Sequence, residues 1–128
     1  MIIGVGTDIV EIKRISASIE RLGAKFIKRI LTPSEQEQYY AIAQREKADA
    51  FVAKRFAAKE AAVKAMGTGF GSGVSFQHFC VKNRPSGQPY LEVDEVIENM
   101  LGESASWFLS LSDEHHYALA FVTLEAME

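Results

Sequence analysis

The chain has 128 residues, 48% hydrophobic and 24% charged, enough for one hydrophobic core and too few for two, so a single domain over 1–128 is expected. Its net charge of −3 is unevenly spread: residues 1–64 carry 12 Lys/Arg against 8 Asp/Glu, and residues 65–128 carry 2 against 9. The basic charge gathers between Lys13 and Arg29, a pattern that favours an anionic partner, while a pI of about 5.6 and the lack of a reader motif argue against nucleic acid.

Ile2 to Val10 is a β-branched run suited to a buried strand, with Gly4 and Gly6 allowing another backbone or a ligand to come close. Asp8 sits near the end of that strand and interrupts the apolar run before a membrane span or secretory segment could be complete, so a cytoplasmic protein is expected. From Glu11 to Arg21 the spacing of Ile12, Ile15 and Ile19 predicts a helix, with Arg14 and Arg21 on its exposed face. Thr32-Pro33-Ser34-Glu35 combines an N-cap, a first-turn proline and a capping-box glutamate, so a helix starts there and is expected to run to about Gln44.

Lys47 to Met66 lacks Gly and Pro, is rich in alanine, and should be the longest helix, stopped by Gly67. Gly67 to Gly73 reads as a flexible glycine loop. Strands are expected at Val74 to Phe76, Phe79 to Asn83, Tyr90 to Val93, Ser106 to Ser112 and Tyr117 to Leu124, with a turn at Arg84 to Pro89 and a short helix from Asp94 to Leu101. The fold class is α+β, a mainly antiparallel sheet against one long helix and several shorter ones. Cys80, the single cysteine, excludes an intrachain disulfide and reads as a small buried hydrophobe.

Chemistry concentrates in Phe56-Ala57-Ala58-Lys59-Glu60-Ala61-Ala62-Val63-Lys64. Phe56, Glu60 and Lys64 share one helix face, and Arg55 and Lys59 form a neighbouring row. Alone, this would describe an exposed Glu60–Lys64 ion pair. Asp8, however, is costly to bury unless it is paired or binds a cation. Asp8 and Glu60 suit Mg²⁺, which takes one or two carboxylates together with phosphates and water, and Lys59, Lys64 and Arg55 would neutralise phosphate oxygens.

Gly6-Thr7-Asp8 and the segment Phe56 to Ala65 together resemble the two motifs of the holo-acyl-carrier-protein synthases, the short class of 4′-phosphopantetheinyl transferases. The resemblance extends to Gly67-Thr68-Gly69, Gly87-Gln88-Pro89 and the last two strands. It implies that coenzyme A donates phosphopantetheine to a serine of apo acyl carrier protein, releasing adenosine 3′,5′-bisphosphate and supporting fatty acid biosynthesis. It implies Mg²⁺ on Asp8 and Glu60, with Glu60 or a water beside Asp8 receiving the proton. Lys64 would join them in catalysis. Lys59, Lys64, Gly67, Thr68 and Gly69 would contact coenzyme A, Arg55 would meet a phosphate or form a structural pair, and the turn ending at Pro89 would meet the adenine end or serve as a plain tight turn; Arg14 and Arg21 would dock the carrier, and three copies would form a homotrimer. Ser112-Asp113 departs from the family's commoner Ser-His or Thr-His, so no ring nitrogen is assigned there. His78, His115 and His116 receive no role.

Overall fold

In the computed structural model, which describes residues 1–102 and 104–126, the opening β-branched segment forms β1 over Ile2–Glu11. Three short helices follow: α1 over Ile12–Leu22, α2 over Ala24–Ile30 and α3 over Pro33–Tyr40. Ile15 and Ile19 face inward from α1 and leave Arg14 and Arg21 exposed, as their spacing requires. The expected capping box starts α3: the Glu35 carboxylate accepts the Thr32 backbone N–H at 2.9 Å while the Thr32 hydroxyl accepts from Glu35. This helix ends at Tyr40, short of Gln44, and α4 begins already at Arg45 and runs to Met66. The intervening residues 41–44 contain no Gly or Pro, so no local signal marks the break.

Beyond α4 come β2 (Phe79–Asn83), β3 (Pro89–Val93), α5 (Glu95–Leu101), β4 (Ala105–Asp113) and β5 (Tyr117–Ala126). The strand expected at Val74 to Phe76 does not form. Ser75 instead donates its backbone N–H to His78 Nδ1 at 3.1 Å, drawing Phe76–His78 into one turn of 3₁₀ helix. All named pairings are antiparallel, and the α+β expectation holds, with the strands split between a sheet ordered β1-β5-β4 and a separate β2-β3 hairpin.

The long helix lies on the inner face of the three-stranded sheet, and small residues set how closely. Ala57, Ala61 and Ala65 of α4 are buried, as are Ala118 and Ala120 of β5. A Cβ at Gly4 would stand 1.9 Å from the carbonyl oxygen of Ala65, and one at Gly6 would stand 1.9 Å from that of Ala61. Here β1 rests directly on the helix backbone. Because α4 covers one face only, β1 is half-buried, not the buried strand expected: Ile3, Val5 and Ile9 point outward, where Phe108, Leu119 and Phe121 continue an apolar surface. Among the described residues, no helix is long and apolar enough to cross a membrane.

Candidate active site

Residues 4, 6 and 8 share the inner face of β1 by strand alternation, so the two glycines that press the strand onto α4 deliver Asp8 to the helix surface next. There Lys64 donates to Asp8 Oδ1 at 3.2 Å and to the Thr7 carbonyl at 2.9 Å. Asp8 Oδ2 is buried without a hydrogen-bond partner. Glu60 lies one turn before Lys64 on α4. Asp8 and Glu60 line a common cavity of about 310 Å³, together with Arg14 and Ser18 of α1, Phe26 of α2 and Phe56 of α4.

Burial pushes the Asp8 carboxyl above its ordinary value of 3.8, against the hydrogen bond and charge of Lys64. Glu60 is pushed above 4.5, first by burial and then by the charge of Asp8, with Lys64 again opposing. Two half-buried carboxylates, both raised by burial and Glu60 further by the charge of Asp8, with one oxygen lacking any donor, form a donor set suited to a hard divalent cation. Lys64 is paired with Asp8, not with Glu60 in the exposed pair that helix spacing alone suggested.

Lys59 does not join this site. Its side chain is wholly buried, donating to Glu35 Oε1 at 2.6 Å and to the Ile30 carbonyl at 2.7 Å, so the expected phosphate contact is corrected to a structural one. Burial lowers the Lys59 pKa, and Glu35 opposes that shift. Glu35 further accepts from the Thr32 hydroxyl and, through Oε2, from the Val81 backbone N–H at 2.8 Å, joining α2, α3, α4 and β2. Arg55 belongs to the same side of the helix. It is 6% exposed with its guanidinium 3.8 Å from the centre of the Phe51 ring, so its expected phosphate contact is likewise replaced by packing.

Gly67, Thr68 and Gly69 are exposed directly after Lys64's turn of helix. Far from a free loop, the segment is tied back: Val63's carbonyl accepts from Gly67 N–H at 3.0 Å and Thr68 N–H at 3.2 Å. Pro89 stands opposite Asn83 at the base of the β2–β3 turn, where Arg84 lies over the Tyr90 ring, and it does not line the Asp8–Glu60 cavity. Arg21 is exposed on α1, two turns beyond Arg14. His115 and His116 are exposed in the β4–β5 hairpin, and Asp113 pairs with Lys54 at 3.5 Å. The described residues contain no cluster of three metal-ligating side chains.

Sequence reasoning missed Ser18, Phe26 and Phe56 as walls of the cavity, and Glu35 as a buried counter-ion. Phe56 and Ser18 had a usable signal, since each lies one helical turn from an assigned residue, Glu60 and Arg14. Glu35 had none beyond its capping role, because its partner Lys59 is 24 positions away.

The family model of the 4′-phosphopantetheinyl transferase superfamily matches residues 4–122. The chain is 66% identical over 126 residues to a holo-[acyl-carrier-protein] synthase of Marinomonas sp. (strain MWYL1), covering 98% of this chain and 99% of that one. Its fold superposes with a TM-score of 0.88 on the holo-[acyl-carrier-protein] synthase of Neisseria meningitidis, at 40% identity with 98% and 99% of the two chains covered. It also matches the Bacillus anthracis holo-(acyl-carrier-protein) synthase solved in complex with CoA (3′,5′-ADP), with a TM-score of 0.86, 38% identity and 99% of each chain covered.

Proposed function

The chain belongs to the 4′-phosphopantetheinyl transferase superfamily, among its holo-acyl-carrier-protein synthases, and from that premise we propose that Asp8 and Glu60 hold Mg²⁺ at the reacting diphosphate. The reaction is transfer of phosphopantetheine from coenzyme A to a serine of apo acyl carrier protein, with adenosine 3′,5′-bisphosphate released. The observation that carries the site is the buried Asp8 Oδ2, without a donor, in a cavity shared with Glu60.

When bound, Mg²⁺ supplies positive charge to the diphosphate oxygens as the phosphorus–oxygen bond breaks. The residues of this chain do the rest. Lys64 fixes Asp8 through one N–H, anchors to Thr7 through a second, and keeps its third for a phosphate oxygen. The serine oxygen bonds to phosphorus, its proton passes to a Glu60 carboxylate oxygen, and the bisphosphate departs. The Gly67-Thr68-Gly69 backbone lies along the pantetheine arm, and the turn ending at Pro89 takes the nucleotide end from a neighbouring subunit. Arg14 and Arg21 dock the acidic carrier. The apolar outer face of Val5, Ile9, Phe108, Leu119 and Phe121 is covered in a homotrimer, and the reaction is cytoplasmic.

Mass spectrometry of the carrier after incubation with coenzyme A and Mg²⁺ tests this reading. The carrier gains one phosphopantetheine with the wild type and none with Asp8→Ala or Glu60→Ala, both folded, or after chelation of the metal. Undiminished transfer by either variant overturns the site. Sedimentation should give three copies, and a monomer at working concentration refutes the assembly.

A further inference from the structure

The glycine loop contains one large side chain. In Gly67-Thr68-Gly69-Phe70-Gly71-Ser72-Gly73 every residue but Phe70 is glycine or a small hydroxyl residue. Gly69, Gly71, Ser72 and Gly73 all have positive φ, at 67°, 98°, 52° and 92°. Gly71 and Val74 exchange both backbone hydrogen bonds, at 2.9 and 3.0 Å, closing a two-residue turn of the kind that needs positive φ at its centre. The Gly67 to Gly69 amides are tied to the Val63 carbonyl, but the positive-φ stretch beyond them loses much conformational freedom on ordering.

Phe70 adds a side-chain anchor. Its ring stacks on Phe76 with centroids 3.9 Å apart and planes 20° from parallel, and Phe76 stacks in turn on Phe56 at 5.6 Å and 24°. Phe76 is buried, and Phe56 forms a wall of the Asp8–Glu60 cavity. The stack therefore runs from the loop to the site without interruption. We infer that Phe70 is a positioning residue for coenzyme A: through Phe76 and Phe56 it holds the Gly67–Gly69 backbone in register with the carboxylates, so that the pantetheine arm meets an ordered surface. The inference rests on the reading that this backbone lies along the arm.

Without the ring, binding the arm must also order the loop, so the loss falls on coenzyme A affinity and spares a ligand that lacks the arm. Titration calorimetry with coenzyme A and, separately, adenosine 3′,5′-bisphosphate makes that comparison, alongside steady-state transfer. Phe70→Ala is expected to raise the coenzyme A Kd and KM about tenfold, leaving bisphosphate binding and saturated kcat within about twofold of wild type. Phe70→Tyr, which keeps a flat ring, restores the affinity; if the alanine variant does not fold, Phe70→Leu takes its place. Gly69→Val disturbs the backbone directly. If it weakens coenzyme A alone while Phe70→Ala changes nothing, the stack has no positioning role and the loop reading stands. If neither variant weakens coenzyme A, the loop reading falls as well. Equal weakening of both ligands by Phe70→Ala overturns the inference in favour of general loss of structure.

Discussion

Replacing Gly6 by alanine should disable the enzyme without touching a charged residue. The added Cβ would stand 1.9 Å from the Ala61 carbonyl oxygen, 2.8 Å from the Ala65 nitrogen and 2.9 Å from the Ala61 carbonyl carbon. Ordinary contact begins near 3.4 Å, so strand and helix must separate locally by about 1.5 Å. The helix has little room to move, because Ala57, Ala58, Ala61 and Ala62 are wholly buried. Among the described residues β1 pairs only with β5, at the sheet edge, and gives way instead, carrying Asp8, the next residue on its inner face. Overpacking of this kind costs roughly 1–3 kcal/mol of stability. A displacement of about 1 Å at a reacting group costs on the order of 10²-fold in rate. Gly6→Ala is therefore expected to lower Tm, reduce kcat about a hundredfold, and raise the Mg²⁺ concentration needed for half-maximal transfer. Gly102→Ala is the control: Gly102 caps α5 at φ 71° with open space around it, so this variant loses about 1 kcal/mol and keeps its kcat. A Gly6→Ala enzyme with wild-type kcat and metal requirement would refute the argument that the glycines place Asp8.

The buried Glu35–Lys59 pair predicts a different signature: Lys59→Met should destabilise by about 3–5 kcal/mol by stranding a carboxylate, whereas the folded fraction at low temperature keeps its coenzyme A KM. A selective rise in that KM would return Lys59 to the binding site. For metal-free protein, the raised pKa values of Asp8 and Glu60 mean that the folded state holds their protons more tightly than the unfolded one. Stability from these groups is thus complete below about pH 4 and is lost as pH rises through the raised values, so Glu60→Gln should increase Tm at pH 7 and lose that advantage toward pH 4 while abolishing transfer. Thermal melts at both pH values decide it, and an unchanged or lower Tm at pH 7 counts against a cost of holding the buried Glu60 carboxylate ionised. Arg21→Glu should raise the carrier KM about tenfold and weaken its salt dependence at constant kcat, and Arg14→Glu, whose side chain lines the cavity, should lower kcat as well. Stopped transfer assays over a salt series read both.

Local signals carried the elements whose ends are chemically marked. Thr32 to Glu35 announces α3, and the uninterrupted alanine-rich run closed by Gly67 announces α4. The β-branched stretch of β1 was legible as a strand, but burial of one face only depends on where α4 lies. The end of α3 and the turn at Phe76–His78 were not legible, because the first lacks a breaker and the second depends on the His78 ring accepting from Ser75. That Asp8, Glu60 and Lys64 lie together was legible because a carboxylate on an apolar strand and a recurring helix face are readable in one dimension.

Lys59 shows where such reading stops, and why. Lys59 and Glu60 are adjacent in sequence, yet successive residues on a helix point about 100° apart. That rotation sends Glu60 to the cavity shared with Asp8 of β1 and Lys59 to a different side, against Glu35 and the end of α2. The pattern Phe-x-x-Lys-Glu-Ala-x-x-Lys thus carries two different tasks on two faces. Phe56, Glu60 and Lys64, spaced by four, face the cavity and Asp8, while Arg55 and Lys59, also spaced by four, belong to the core. Both rows were visible in the sequence. What distinguished them was the partner each face meets, β1 with its glycines on one side and the capping-box glutamate on the other, and both partners lie far along the chain.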